Sequence, residues 1–215
     1  MRLRNITGSK EIITKCRYVV AEPEQNKGKW NSYFNNDNPI NIEVGMGKGQ
    51  FITKLAERHP GNNYIGIEMY SSVLYRAVKK IEQTSPELPN LALIRMDARD
   101  LEMVFAPGEV KRIYLNFSDP WPKDRHAKRR ITSRDFLARY NEILATDGII
   151  EFKTDNEALF RFSLTELETS SFKLDKVSYD LHNDDEMISG NIKTEYEEKF
   201  SAQGKPICKY MISKK

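Results

Sequence analysis

The stretch PINIEVGMGKGQFITKLAER, residues 39–58, reads as a strand, a glycine turn and a helix in immediate succession. Ile40–Val44 is a short apolar run of strand length, and glycines recur at 45, 47 and 49. Gln50–Arg58 has helical spacing, with Phe51, Ile52 and Leu55 on the inward face. Glycine at every second position lets the backbone turn sharply and lets a ligand approach closely. The same alternation runs through the rest of the chain. Strands are expected at 64–69, 91–96, 112–117 and 148–153, with a closing pair at 172–179 and 206–213. Helices are expected at 71–83, near 101–105, and at 132–144, 156–169 and 195–202. Ser71 or Ser72 is a candidate cap for the first of these, and Ser133 for the third. Prolines 86 and 89 stop the 71–83 helix unit. Seven strands alternating with helices predict an α/β fold with an open, mostly parallel sheet covered on both faces.

Residues 1–38 show no clean period and read as an irregular basic arm with a short helix near 9–15, so the chain divides into 1–38 and a domain at 39–215. The net charge of +3 is unevenly spread. Residues 1–30 carry seven Lys/Arg against three Glu, and residues 121–134 carry six against one Asp. Two basic segments on a nearly neutral chain predict a localised polyanion footprint, the alternative being solvated surface charge. No run reaches the length of a membrane span, and the amino terminus lacks the apolar stretch of a secretion signal. Cys16 and Cys208 form no CxxC unit, which fits a cytoplasmic protein with free thiols. The three histidines, His59, His126 and His182, have no metal-ligand spacing, and no metal is expected.

In such sheets ligands bind at the carboxyl ends of the strands. The polar residues at those ends are Gly45 to Gly49, Glu68, Asp97, Asn116 with Asp119, and Asp155. Any one is an ordinary cap or turn residue; five on one rim are harder to explain that way. The G-x-G-x-G spacing is one residue short of the dinucleotide fingerprint. Glu43, two residues before the first glycine, repels a pyrophosphate and attracts the cationic amino acid moiety of S-adenosylmethionine. Glu68 suits two ribose hydroxyls in either cofactor, and Asp97 suits an adenine amino group. S-adenosylmethionine is therefore favoured over a nicotinamide dinucleotide.

Residues 112–130, RIYLNFSDPWPKDRHAKRR, run from a buried-strand pattern through a stiff turn into a polycationic loop. Two prolines exclude a helix through Asp119 and Trp121. The turn presents an acid beside a flat ring, although Trp121 packed in the core beneath the prolines is the simpler reading.

The segments IEVGMGKGQF, GIEM, MDA, IYLNFSDPWPKDRHAKRR, FKTDN and TEYEEKF, in this order between residues 42 and 200, resemble the bacterial tRNA (guanine-N7-)-methyltransferases. The run FSDPWPKxRHxKRR is the specific part. The resemblance implies a Rossmann-like class I methyltransferase fold with an antiparallel last strand. It implies methyl transfer from S-adenosylmethionine to N7 of a guanine in tRNA, expected at position 46 of the variable loop. It implies cofactor contacts from Glu43, Gly45, Gly47, Glu68, Asp97, Asn116 and Asp119, with Asp119 as the catalytic acid. It further implies that Lys123, Asp155, Thr194, Glu195, Tyr196 and Glu197 bind substrate, and that Arg125, His126, Lys128, Arg129 and Arg130 touch RNA. Arg2, Arg4, Lys10, Lys15 and Arg17 of the arm are candidates for further contacts. The expected partner is tRNA, with no membrane, and the chain is a monomer or homodimer. Three rivals stay open: an amino-methylase, whose (Asp/Asn)-Pro-Pro-aromatic turn is interrupted here by Trp121, a dinucleotide oxidoreductase, and a silent RNA-binding subunit.

Overall fold

The computed structural model describes residues 6–84 and 87–215; Arg2, Arg4 and Pro86 lie outside the described residues. The chain divides into two compact units, Met1–Ala106 and Pro107–Lys215.

The first unit holds β1 (Val19–Val20), β2 (Ile40–Val44), β3 (Asn63–Glu68) and β4 (Leu91–Arg95), all parallel, in the order β1-β4-β3-β2. Every residue of β2 and β3 is buried, so side chains pointing to either face of these strands are covered. The helices are α1 (Ser9–Ile13), α2 (Trp30–Phe34), α3 (Gln50–Arg58), α4 (Ser71–Thr84) and α5 (Leu101–Val104). Phe51, Ile52 and Leu55 of α3 bury as their spacing predicts, as do Leu74, Ala77, Val78 and Ile81 of α4. Each of these side chains apart from Ala77 contributes roughly 1.5–3 kcal/mol by leaving water.

In residues 6–38 the expected short helix is α1; the rest, expected to be irregular, instead carries β1, a 3-10 turn at Pro23–Asn26 and α2. Trp30 is fully buried, its Nε1 donates to the Val104 carbonyl at 3.0 Å, and its ring lies 5.8 Å from Phe105. The Ser9 and Ser71 hydroxyls share a hydrogen bond of 3.1 Å. Ser71 thus ties α4 to α1. The strand count rises from the expected seven to eight because β1 pairs with β4, Val19 opposite Leu93. Two residues are too few to show a period of two, which is why the sequence hides this strand.

The second unit holds β5 (Val110–Asn116), β6 (Leu144–Thr154), β7 (Phe172–Ser178) and β8 (Cys208–Lys214), in the order β5-β6-β8-β7. β5 and β6 are parallel, and β8 runs antiparallel to both β6 and β7. Its helices are α6 (Arg134–Ile143), α7 (Glu157–Glu168), α8 (Asp185–Ile188) and α9 (Glu195–Ser201). Asn156 caps α7 by accepting from the Leu159 amide at 2.8 Å. Ser133 occupies the N-cap position of α6, but its hydroxyl makes no capping bond. The Arg134 amide goes to Glu166 of α7 at 2.6 Å instead, and the Arg134 guanidinium beside Glu166 holds that carboxyl below its usual range. β6 starts at Leu144 rather than 148, because Leu144 already pairs with Val110.

Candidate functional site

In the first unit three carboxylates gather at the carboxyl ends of three neighbouring parallel strands. Glu43 is 1% exposed and pairs in register with Gly66, while Glu68 ends β3 opposite Arg95. Asp97 follows β4 by two residues. The loop after β2 is built on backbone bonds: the Gly45 and Met46 amides both donate to the Ile67 carbonyl, at 2.9 and 3.0 Å. Glu68 closes it, with Oε2 accepting from the Gly47 amide at 3.2 Å and Oε1 from the Tyr70 amide at 2.9 Å. Gly45 and Gly47 have φ of 76° and 58°, and a Cβ added at either meets nothing within 4 Å. Open backbone ringed by carboxylates fits a ligand with a cationic amino group and ribose hydroxyls, as S-adenosylmethionine has. Asp97 also serves locally. It caps the turn at Ala98–Asp100 by accepting from the Arg99 amide at 2.9 Å, and it pairs with the exposed Arg99 guanidinium at 2.6 Å.

In the second unit the chain leaves β5 through Phe117, Ser118, Asp119, Pro120 and Trp121 without a helix, as the prolines require. Asn116, the last residue of β5, is 8% exposed. Phe117 and Trp121 have φ of 49° and 42°, a region that costs a side-chain-bearing residue about 1–2 kcal/mol. Asp119 between them is exposed, and its carboxylate makes no hydrogen bond or ion pair among the described residues. The cationic segment then winds into a 3-10 helix, Asp124–Arg129. Lys123, Arg125, Lys128 and Arg129 are exposed, and His126 is half-buried.

Two expectations change here. Trp121 is not a core residue: it is half-buried, with the Arg129 guanidinium 5.0 Å from its ring and His126 edge-on at 5.6 Å. The residues that follow it, Pro122, Lys123, Asp124 and Arg125, are all exposed, so the chain runs at the surface here. Arg130, grouped with the RNA contacts, is 9% exposed and turned inward. Its Nε donates to the Pro120 carbonyl at 3.1 Å, its second nitrogen to the Trp121 carbonyl at 3.1 Å, and it stacks 4.2 Å over the Phe162 ring.

Around the start of α9 the structure brings Asp155 and Tyr196 together. Asp155 has a 15% exposed side chain with Lys205 at 3.8 Å. Burial, then the Asp155 charge, push the Tyr196 hydroxyl above its ordinary pKa. The Tyr196 ring is 43% exposed and lies 4.2 Å from Phe200 and 5.1 Å from Phe117. Thr194 caps α9 by accepting from the Glu197 amide at 2.9 Å, and Glu195 is half-buried.

Glu197, expected to face substrate, is fully buried. Its Oε2 takes Lys153 Nζ at 2.7 Å, and its Oε1 takes Asn191 at 2.8 Å and His182 at 3.1 Å. Lys153 also donates to Asn191 Oδ1 and the Ile192 carbonyl, so all three ammonium protons are used. Burial pushes the Glu197 carboxyl up, but Lys153, Asn191 and His182 more than offset it and the net shift is downward. Burial lowers Lys153, and Glu197 offsets only part of that. Sequence reading missed Lys153, Asn191 and His182 altogether. A lysine at the end of an apolar strand, FKTDN, was the available signal, and Thr194-x-x-Glu197 was the capping-box spacing.

Among the described residues no helix is long and apolar enough to cross a membrane, and no group of three or more His, Cys, Asp or Glu could hold a metal ion. Both cysteines are free and buried; burial pushes the Cys16 thiol up to about 11, which keeps it unreactive.

A family profile described as "Putative methyltransferase" matches residues 37–210. A tRNA (guanine-N(7)-)-methyltransferase of Lachnoclostridium phytofermentans is 59% identical over 96% of this chain and 95% of its own length. The Bacillus subtilis protein of the same name is 50% identical over 96% of both. Among solved structures, an antibiotic-related methyltransferase superposes with TM-score 0.63 at 21% identity, covering 86% of this chain and 92% of its own. The 16S rRNA methyltransferase KamB superposes with TM-score 0.64 at 12% identity, covering 86% and 91%. These two share the methyltransferase fold. Matched by the profile over most of its length and by such relatives nearly end to end, the chain belongs to the tRNA (guanine-N(7)-)-methyltransferase family.

Proposed function

We propose that this chain methylates N7 of a guanine in tRNA, at position 46 of the variable loop, with S-adenosylmethionine as methyl donor. The observation that carries the reading is the set of carboxylates at the ends of β2, β3 and β4 around an open glycine loop, in a chain whose relatives bear that activity in their names. When bound, the cofactor supplies an electrophilic methyl group. Glu43 receives its ammonium, Glu68 its ribose hydroxyls, and Asp97 its adenine amino group. Gly45 and Gly47 admit it closely.

Guanine N7 carries a lone pair and no proton, so the chain needs no general base. Its residues act by holding the base. One acid, Asp119 or Asp155, accepts from guanine N1–H and the N2 amine, which rejects adenine and stabilises the positive charge on the methylated ring. Lys123 and the segment from Thr194 to Tyr196 complete the base contacts, with Glu197 as that segment's buried anchor. Tyr196, resting one face on Phe200, stacks on the freed base, worth about 1–3 kcal/mol. Correct alignment of N7 with the methyl carbon supplies up to about 7–11 kcal/mol of the barrier reduction. Arg125, His126, Lys128 and Arg129 meet phosphates and position the tRNA without reading its sequence.

The test is incubation of the purified chain with labelled cofactor and unmodified tRNA, followed by nucleoside analysis. Label in 7-methylguanosine is expected, and it disappears when guanine 46 is replaced. Label on an exocyclic amine would make the chain an amino-methylase, and no label would leave an RNA-binding subunit.

A further inference from the structure

We infer that Arg130 is a positioning residue that holds the Asp119 turn in its reactive shape, while its neighbour Arg129 faces RNA. The inference rests on the methyl-transfer reading and deepens it. Three observations point the same way. Arg130 is 9% exposed whereas Arg129 is exposed, so only one of the adjacent arginines is open to a phosphate. The Arg130 guanidinium spends its donors on the turn: Nε reaches the carbonyls of Pro120 and Trp121 at 3.1 and 3.3 Å, and the second nitrogen reaches Trp121 at 3.1 Å. Its flat face rests on Phe162 of α7, 4.2 Å away, which fixes the fork from behind. The turn so held has Phe117 and Trp121 at φ of 49° and 42°, on either side of Asp119. Backbone in that region persists only where surrounding contacts over-determine it. A planar fork bonded to two consecutive carbonyls is such a contact, and an ammonium cannot reproduce its geometry. Arg130 therefore acts on the reaction through the carbonyls on the far side of Asp119.

The experiment compares wild type, Arg130→Lys and Arg130→Gln in single-turnover methylation and in tRNA binding across a salt series. The fraction of tryptophan fluorescence quenched by acrylamide is followed alongside. Trp30 is fully buried and screened from the quencher, so the quenchable fraction reports Trp121. In Arg130→Lys the charge is kept and the fork is lost. We expect the methylation rate to fall by about 100-fold, the size of effect that a misplacement near 1 Å produces. The slope of log affinity against log salt stays at the wild-type value, and Trp121 becomes more quenchable. Millimolar guanidinium, against sodium chloride at equal ionic strength, restores part of the rate of Arg130→Gln. Full activity in Arg130→Lys, or a salt slope reduced by about one in Arg130→Gln with the rate retained, would make Arg130 a phosphate contact and overturn the inference. If Arg130→Gln does not fold, the lysine variant decides alone. A wild-type chain that methylates no guanine would instead refute the functional reading.

Discussion

After β2 the chain reverses through glycines at φ of 76°, 58° and 77°; after β5 it reverses through Phe117 at 49° and Trp121 at 42°. The first loop's glycines meet no steric penalty, and its supports are backbone amides bonded across to β3: two amides on the Ile67 carbonyl and one on Glu68. The second loop is strained, and its supports are side chains. Arg130 holds its carbonyls. Phe117 packs on the cluster of Leu181, Met187 and Ile207, and Tyr196 of α9 lies on Phe117. That helix is anchored in turn by the Lys153–Glu197 pair, and the Phe117 amide bonds the Lys153 carbonyl at 2.8 Å. On the proposed reading, the cofactor meets a loop held by amide bonds, and the base meets a turn whose shape depends on buried side chains.

The sharpest way to break this contrast is at Glu197. Glu197→Ala strands the Lys153 ammonium, 4% exposed, without its counter-charge, and is expected to cost about 3–5 kcal/mol in a urea titration. Replacing both partners, Lys153→Met with Glu197→Leu, should recover much of that stability while leaving methylation impaired, because α9 loses its register. The pH dependence has a definite sign. The folded-state pKa of Glu197 is lowered, so the pair's contribution is present above the unfolded carboxyl value near 4.3 and is lost as pH falls through the lower folded value. Wild type should lose stability steeply below about pH 4, and Glu197→Gln should lose the part of that slope which Glu197 supplies. An unaltered acid limb in the variant would mean that the pair does not brace the turn.

A smaller effect is expected at the glycine loop. Gly47→Ala places a Cβ in open space, so only the backbone penalty at φ 58° acts, offset in part by the stiffer unfolded chain. The net cost to stability is about 1 kcal/mol or less. On the proposed reading the same Cβ stands where the cofactor approaches, so calorimetry should show a clear loss of S-adenosylmethionine affinity in a folded variant. Retained affinity would remove the loop from the cofactor site and collapse the contrast.

The difference between the loops is also why one was legible in sequence and the other only in part. Glycines at 45, 47 and 49 announce positive φ, because other residues rarely adopt it. Five interior strands were readable from apolar runs, and the closing pair from their spacing, while β1 was too short to leave a trace. Around Asp119 the prolines revealed a turn but not its handedness, since nothing in Phe or Trp signals φ near 45°. Arg129 and Arg130 are chemically identical neighbours, and only tertiary contacts send one outward and one inward. Glu197 was expected to face substrate, and its burial depends on Lys153, 44 residues earlier.

The mildest change expected is at the outward arginine. Arg129 is exposed, and its guanidinium sits 5.0 Å from the Trp121 ring on the outer side of the turn. Arg129→Gln should leave the urea midpoint unmoved, because no buried partner loses its bond. It should weaken tRNA binding and reduce the salt slope by about 0.7–0.9, the value for one released counterion. Trp121 loses the cation over its face and should become slightly more quenchable by acrylamide. Set beside Arg130, the pair forms an internal control: one arginine moves the salt slope, the other the rate of methyl transfer. A variant of Arg129 that lowers the rate at saturating tRNA with its salt slope intact would show that both arginines brace the turn, and that the boundary between phosphate contact and buttress lies further out, at Lys128.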